Sequence, residues 1–159
     1  MNYWLDLFTG TTWNEFRKAG ASVSGFRNDA PVCSPGQDGG RPPLLPTGVM
    51  QWVGALEVLG PTTDTSPIWS SDAFPVRFAV KPIVLLDPEF GVPMKRASKE
   101  SLIFTAVEST EEDSGFLRMS PNLFKRSGDG ELVLQALRDA ERNPISVPID
   151  PKKLARKPR

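Results

Sequence analysis

Residues 28–46 carry five prolines and three glycines, and they set the strongest limit on what this chain can build. Proline fixes φ and offers no ladder donor, so no interior strand is expected across Pro31, Pro35, Pro42, Pro43 and Pro46. A structureless loop of this length is uncommon inside a compact domain. The segment predicts a break between an N-terminal unit and the apolar runs that begin at Met50.

Before the break, residues 2–8 are rich in aromatic and aliphatic side chains and predict a first strand. Thr12 and Glu15 match a capping box, and Phe16, Ala19 and Gly20 complete a helix of about two turns. Residues 22–27 lead out as an extended or turn segment. After the break, residues 50–59 predict a central strand partly buried on both faces. Residues 76–80 form another strand, and residues 83–86, after Pro82, continue it or begin the next. Residues 99–107 fit a helix or a strand, and residues 115–120 a late short strand. Leu132, Val133, Ala136, Leu137 and Ala140 recur at helical spacing, which predicts a helix over 130–142 capped by Asp129. Residues 144–159 read as a proline-rich linker and a basic tail leading to a further, C-terminal domain. That makes residues 1–143 the folded unit.

The composition is that of a folded domain, with 39% hydrophobic and 24% charged residues in 159. There is no histidine and one cysteine, Cys33. Histidine-based triads and the usual zinc sites are therefore excluded, and an enzyme would depend on carboxylates, lysine or tyrosine. A binding domain without metal or cofactor is the expectation. No long apolar run predicts a membrane span, and the N-terminus lacks a basic, apolar leader. The single cysteine fits a reducing cytoplasm. The net charge of zero conceals five basic side chains in residues 151–159 against a net −5 in residues 1–150. Broad coating of duplex phosphates is not expected of so acidic a body.

The side chains best suited to recognition are aromatic. Trp52 lies in an apolar strand and reads as core. Trp69 stands in a polar loop, where a core role and a recognition role are both open. Trp4 and Trp13 fall between these cases. A tryptophan face stacks on any nucleobase, and hydroxyl or amide groups beside it read the base edge. Ser24, Asn28, Thr47 and Ser120 are candidates for that polar task. Arg77 and Arg118 interrupt apolar strands, either as solvated charges or as phosphate contacts. The acidic run Glu108, Glu111, Glu112 and Asp113 lacks the glycine of a calcium loop.

Read in order, Asn2-Tyr3-Trp4-Leu5, Ser24-Gly25-Phe26-Arg27-Asn28, Trp52-Val53-Gly54-Ala55-Leu56-Glu57-Val58, Ser66-Pro67-Ile68-Trp69 and Gly115-Phe116-Leu117-Arg118-Met119-Ser120-Pro121 resemble EVE domains. EVE domains belong to the PUA-like superfamily, with YTH and ASCH domains. The similarity covers roughly residues 1–142. It implies an α+β fold, a PUA-like mixed β-barrel with short flanking helices. It also implies a pocket that holds a modified, flipped base. Carried across, that base pocket comprises Trp4, Ser24, Phe26, Trp69, Arg118 and Ser120. Arg27, Arg77, Lys152 and Lys153 would contact phosphate.

Relatives of this kind are often the recognition modules of restriction or defence proteins directed at modified DNA, so DNA is expected ahead of RNA as the partner. An RNA-binding PUA-like module is the alternative. An ASCH-like hydrolase of modified nucleosides, using Lys18, Lys81 or Glu57, is a third. One departure stands out. Where EVE domains carry a basic stretch and then an apolar strand, this chain has Pro42-Pro43-Leu44-Leu45-Pro46. The expectation is a missing barrel strand, through an insertion or an out-of-frame segment.

Overall fold

The computed structural model describes residues 3–26, 43–49, 51–64, 66–69, 74–93, 122–123, 127–146, 148–149 and 151–155. Short strands with apolar side chains on both faces need cover on both, and the chain supplies it by curling one mixed sheet. The strands are β1 Trp4–Leu7, β2 Val23–Phe26, β3 Pro43–Gly48, β4 Gln51–Trp52, β5 Gly54–Pro61, β6 Val76–Leu85, β7 Val92–Pro93 and β8 Asn122–Leu123. Their order is β2-β6-β5-β3-β1-β8, with β4 paired to β3 and β7. β1 and β3 run parallel, and their other pairings are antiparallel. Among the described residues, three α-helices accompany the sheet: α1 Gly10–Lys18, α2 Ser127–Arg142 and the single turn α3 Pro151–Leu154. No described helix is long and apolar enough to cross a membrane.

The missing strand is present. β3 is buried along its whole length, between β1 and β5. The prolines are tolerated because of where they fall. Pro43 is the first residue of the strand. Pro46 lies where the partner strand is interrupted, its carbonyl accepting from Val53 N at 3.0 Å, the residue that parts β4 from β5. Strand starts and ladder irregularities are the places that admit proline. Pro82 follows the same rule at the register shift between Ala55 and Leu56, so residues 76–85 run as one strand. Residues 27–42 lie outside the described structure.

Alternation along the strands divides the core in two. On one face, Leu5, Leu45, Trp52, Ala55 and Val84 pack with Val133 and Leu137 of α2. On the other, Leu44, Leu56, Val58, Phe78 and Val80 join Phe26, Trp13 and Phe16. The inner face closes on itself. Ser24 of β2 donates to Asp6 Oδ2 of β1 at 2.8 Å, although these strands stand four places apart in the sheet. Only a sheet rolled into a near-barrel brings them together.

Helix α1 bridges the end of β1 and the start of β2, and so covers one end of the roll. Its cap lies three residues earlier than the sequence indicates. Thr9 accepts from Thr12 N at 3.1 Å while Thr12 Oγ1 accepts from Thr9 N at 2.8 Å, a reciprocal box built from two threonines. Trp13 anchors the helix by donating Nε1–H to Leu86 O at 2.9 Å. Arg17 lies over the Trp13 ring at 5.9 Å and meets Asp87 at 3.7 Å.

The segment after α2 returns to the body. Ser146 donates to Glu89 Oε1 at 2.8 Å, and Thr11 Oγ1 donates to Leu154 O at 3.5 Å. Gly10 makes room for this return, because a Cβ there would stand 2.5 Å from Leu154 O. Ser146 and Leu154 thus tie the described part of this segment to the body as a strap.

Candidate functional site

Two levels of side chains face each other on the inner surface. β1 and β2 run in opposite directions, as their linkage through α1 and the strand pairings require. Asp6 meets Ser24 at one level. Two residues away along each strand, toward the end opposite α1, Trp4 and Phe26 share the next level, about 7 Å off. Trp4 is half-buried, whereas Asp6 is 1% exposed and Ser24 fully buried. The inner face of β1 thus passes from a partly accessible aromatic ring to a sealed carboxylate. Phe26 packs on Phe78 at a centroid distance of 5.9 Å, adding apolar wall.

The alternation that joins Trp4 to Asp6 was available in the sequence. A charged residue inside an aromatic-apolar strand, two places from a tryptophan, is the sequence signal for this arrangement. A buried carboxylate needs strong partners, so such a residue is retained where it has a structural or recognition task.

Trp69 does not join this group. Its ring lies against Gly25, where a Cβ would come within 2.8 Å of Trp69 Cζ3. Gly25 faces the side of β2 opposite to Ser24 and Phe26. Trp69 is 7% exposed, donates Nε1–H to Thr12 O at 3.2 Å and meets Phe74 edge-on at 5.1 Å. It is a wedge between β2 and α1. The polar sequence around it gives no sign of this, because its socket is made by a glycine of β2, with β3, β4 and β5 between the two in the chain.

Arg77 is likewise engaged. Its Nη1 donates to Asp64 O at 3.2 Å and Ser66 O at 2.5 Å, its Nε donates to Phe74 O at 3.4 Å, and the guanidinium covers Trp69 at 5.5 Å. The side chain clamps the loop between β5 and β6 instead of offering a free phosphate contact. Lys152 is exposed on α3, beside α1 and so at the far end of the roll from Trp4. Thr47 is buried on the α2 face, opposite Trp52. Arg27, Asn28, Arg118, Ser120 and the side chain of Lys153 lie outside the described residues, as does the acidic run. Glu57 and Lys81 pair directly across β5 and β6. They point away from the Asp6–Ser24 level, and Lys18 belongs to α1, so the three do not converge there.

No protein-family model matches the chain, and neither does any curated protein. Among solved structures, the YTH domain of Mmi1, determined in complex with RNA, is similar to it. The TM-score is 0.63 at 13% identity, over 91% of this chain and 82% of that one. The fold is YTH-like. This agrees with the α+β, PUA-like architecture implied by the sequence resemblance, and identity this low carries the fold alone.

Proposed function

We propose that the chain is a reader domain of the EVE type, which holds a nucleobase of a nucleic acid on the inner face of its rolled sheet. The observation that carries this reading is the pair of levels on β1 and β2. A half-buried indole stands two residues from a buried polar pair, inside a YTH-like fold. Trp4 supplies a stacking surface, worth about 1–3 kcal/mol per base. Phe26 and Phe78 supply an apolar wall on which a base methyl group gains about 0.8 kcal/mol, roughly fourfold in affinity.

RNA is the favoured partner, because the similar YTH domain was solved with RNA. DNA is the second reading, favoured by the five basic side chains of residues 151–159. Its weight is reduced by the position of Lys152 at the α1 end. Titration of matched single-stranded RNA and DNA, each with and without a base methyl group, tests the proposal. Tighter binding of methylated RNA supports it. Equal affinity for all four oligonucleotides removes the modified-base reading.

A further inference from the structure

We propose that Ser66 is a phosphorylation site for a proline-directed serine kinase, and that Arg77 holds the phosphate once it is in place. The inference is independent of base reading and concerns the loop between β5 and β6. Ser-Pro occurs at Ser34, Ser66 and Ser120, and of these Ser66 lies among the described residues. Ser66 and Pro67 are both exposed, and neither belongs to a helix or a strand. A kinase takes its substrate as an accessible irregular segment, so no element has to unfold first. Pro67 has no N–H and a fixed φ, the feature by which such kinases choose their serine.

The cation beside Ser66 gives the phosphate a place to go. A guanidinium carries five N–H donors, one on Nε and two on each Nη. Arg77 directs Nε to Phe74 O and Nη1 to the carbonyls of Asp64 and Ser66. Nη2 makes no hydrogen bond among the described residues. The Trp69 ring supports the guanidinium at 5.5 Å. A residue whose carbonyl already meets this group can bring a phosphate on its own side chain to the donors left over.

In the transfer itself, Ser66 Oγ attacks the γ-phosphorus of a nucleoside triphosphate. The Oγ–P bond forms, the bond from that phosphorus to the bridging oxygen breaks, and the nucleoside diphosphate leaves. The hydroxyl proton passes to the base of the kinase. The product carries about −1.5 to −2 charge at pH 7. Asp64 Oδ1, which accepts from Ser66 N at 2.9 Å, is then repelled. Asp64 is exposed and turns into water without a burial cost. Ser66 thus exchanges a carboxylate neighbour for a charge-assisted pair with Arg77.

Ser34→Ala and Ser120→Ala in the full chain leave Ser66 as the single Ser-Pro acceptor. Incubation of this folded protein with a proline-directed serine kinase, ATP and Mg²⁺ is expected to add a phosphate that fragmentation mass spectrometry maps to Ser66. Failure to modify Ser66 overturns the proposal. The phosphorus NMR resonance of the product is then followed against pH. The second ionisation of a free phosphoserine lies at about 6. In the folded protein it is expected at lower pH than in urea, because Arg77 favours the dianion. Arg77→Gln should return the folded value to that in urea, and Arg77→Lys should retain part of the difference. Coincident titrations of the folded and urea-unfolded phosphoprotein overturn the proposal, and this comparison needs no substitution in the clamp. A low value that survives in folded Arg77→Gln overturns it as well.

Discussion

The hydroxyl of Ser24 donates to the carboxylate of Asp6 at 2.8 Å, joining two strands that the sheet order keeps four places apart. The bond links the wall of the candidate site to the closure of the roll. Ser24→Ala removes one hydrogen bond to a buried carboxylate, and the expected cost is about 1–3 kcal/mol. Chemical denaturation with an unchanged m-value checks it. A cost below about 0.5 kcal/mol, the range of ordinary surface substitutions, shows that the bond does not help to hold the roll.

Trp69 and Gly25 form a structural pair whose loss is predicted to affect stability and not recognition. Gly25→Ala drives a Cβ into the indole, and overpacking of this kind costs about 1–3 kcal/mol. Trp69→Phe removes the bond to Thr12 O and part of the packing. Both variants should lower the thermal midpoint, while their folded fraction binds oligonucleotides with unchanged affinity. A selective loss of affinity in folded Trp69→Phe would return this residue to the site.

The strap gives a test by sign. Gly10 is the buried first residue of α1, and where nothing packs against a helical glycine alanine is favoured, by up to about 1 kcal/mol in a helix interior. If Leu154 occupies the Gly10 notch, Gly10→Ala is destabilising instead, and cleavage by trypsin after Lys152 becomes faster. Stabilisation with unchanged proteolysis shows that residues 144–155 are a linker after all.

Much of this architecture is legible in the sequence, and the failures have local causes. The aromatic-apolar runs locate β1, β5 and β6, and helical spacing locates α2, which begins at Ser127. β3 is hidden because proline argues against interior strands, and only the register shows that Pro43 and Pro46 fall at tolerant positions. The cap of α1 is displaced because two boxes overlap, and a threonine can fill the third position as well as Glu15 can. The burial of Trp69 is not legible because burial of a loop residue depends on a socket made elsewhere. Asp6 needed only strand alternation, applied to a residue that composition treats as surface.

Tyr3 supplies a pH dependence. Burial holds its hydroxyl above the ordinary value of 10.0, and the carboxylate of Glu131 adds to the effect. A raised folded-state value means that the stabilisation is complete below 10.0 and is lost as pH rises through the folded value. Tyr3 is the chain's single tyrosine, so tyrosinate absorbance reports it directly. Its titration in the folded protein should lie above that in denaturant, and Tyr3→Phe should remove this alkaline loss of stability. Coincident titrations contradict the burial of this ring against α2.

The central claim, that a base is held beside Trp4 on the inner face, is tested most directly through the indole N–H resonances of the four tryptophans. Trp13 and Trp69 donate these protons to Leu86 O and Thr12 O, and Trp52 is fully buried on the α2 face. On titration with a methylated single-stranded RNA, the Trp4 resonance is predicted to shift, saturating with the binding curve, while the Trp13 and Trp69 resonances stay in place. A bound state in which Trp69 moves and Trp4 does not would contradict the account.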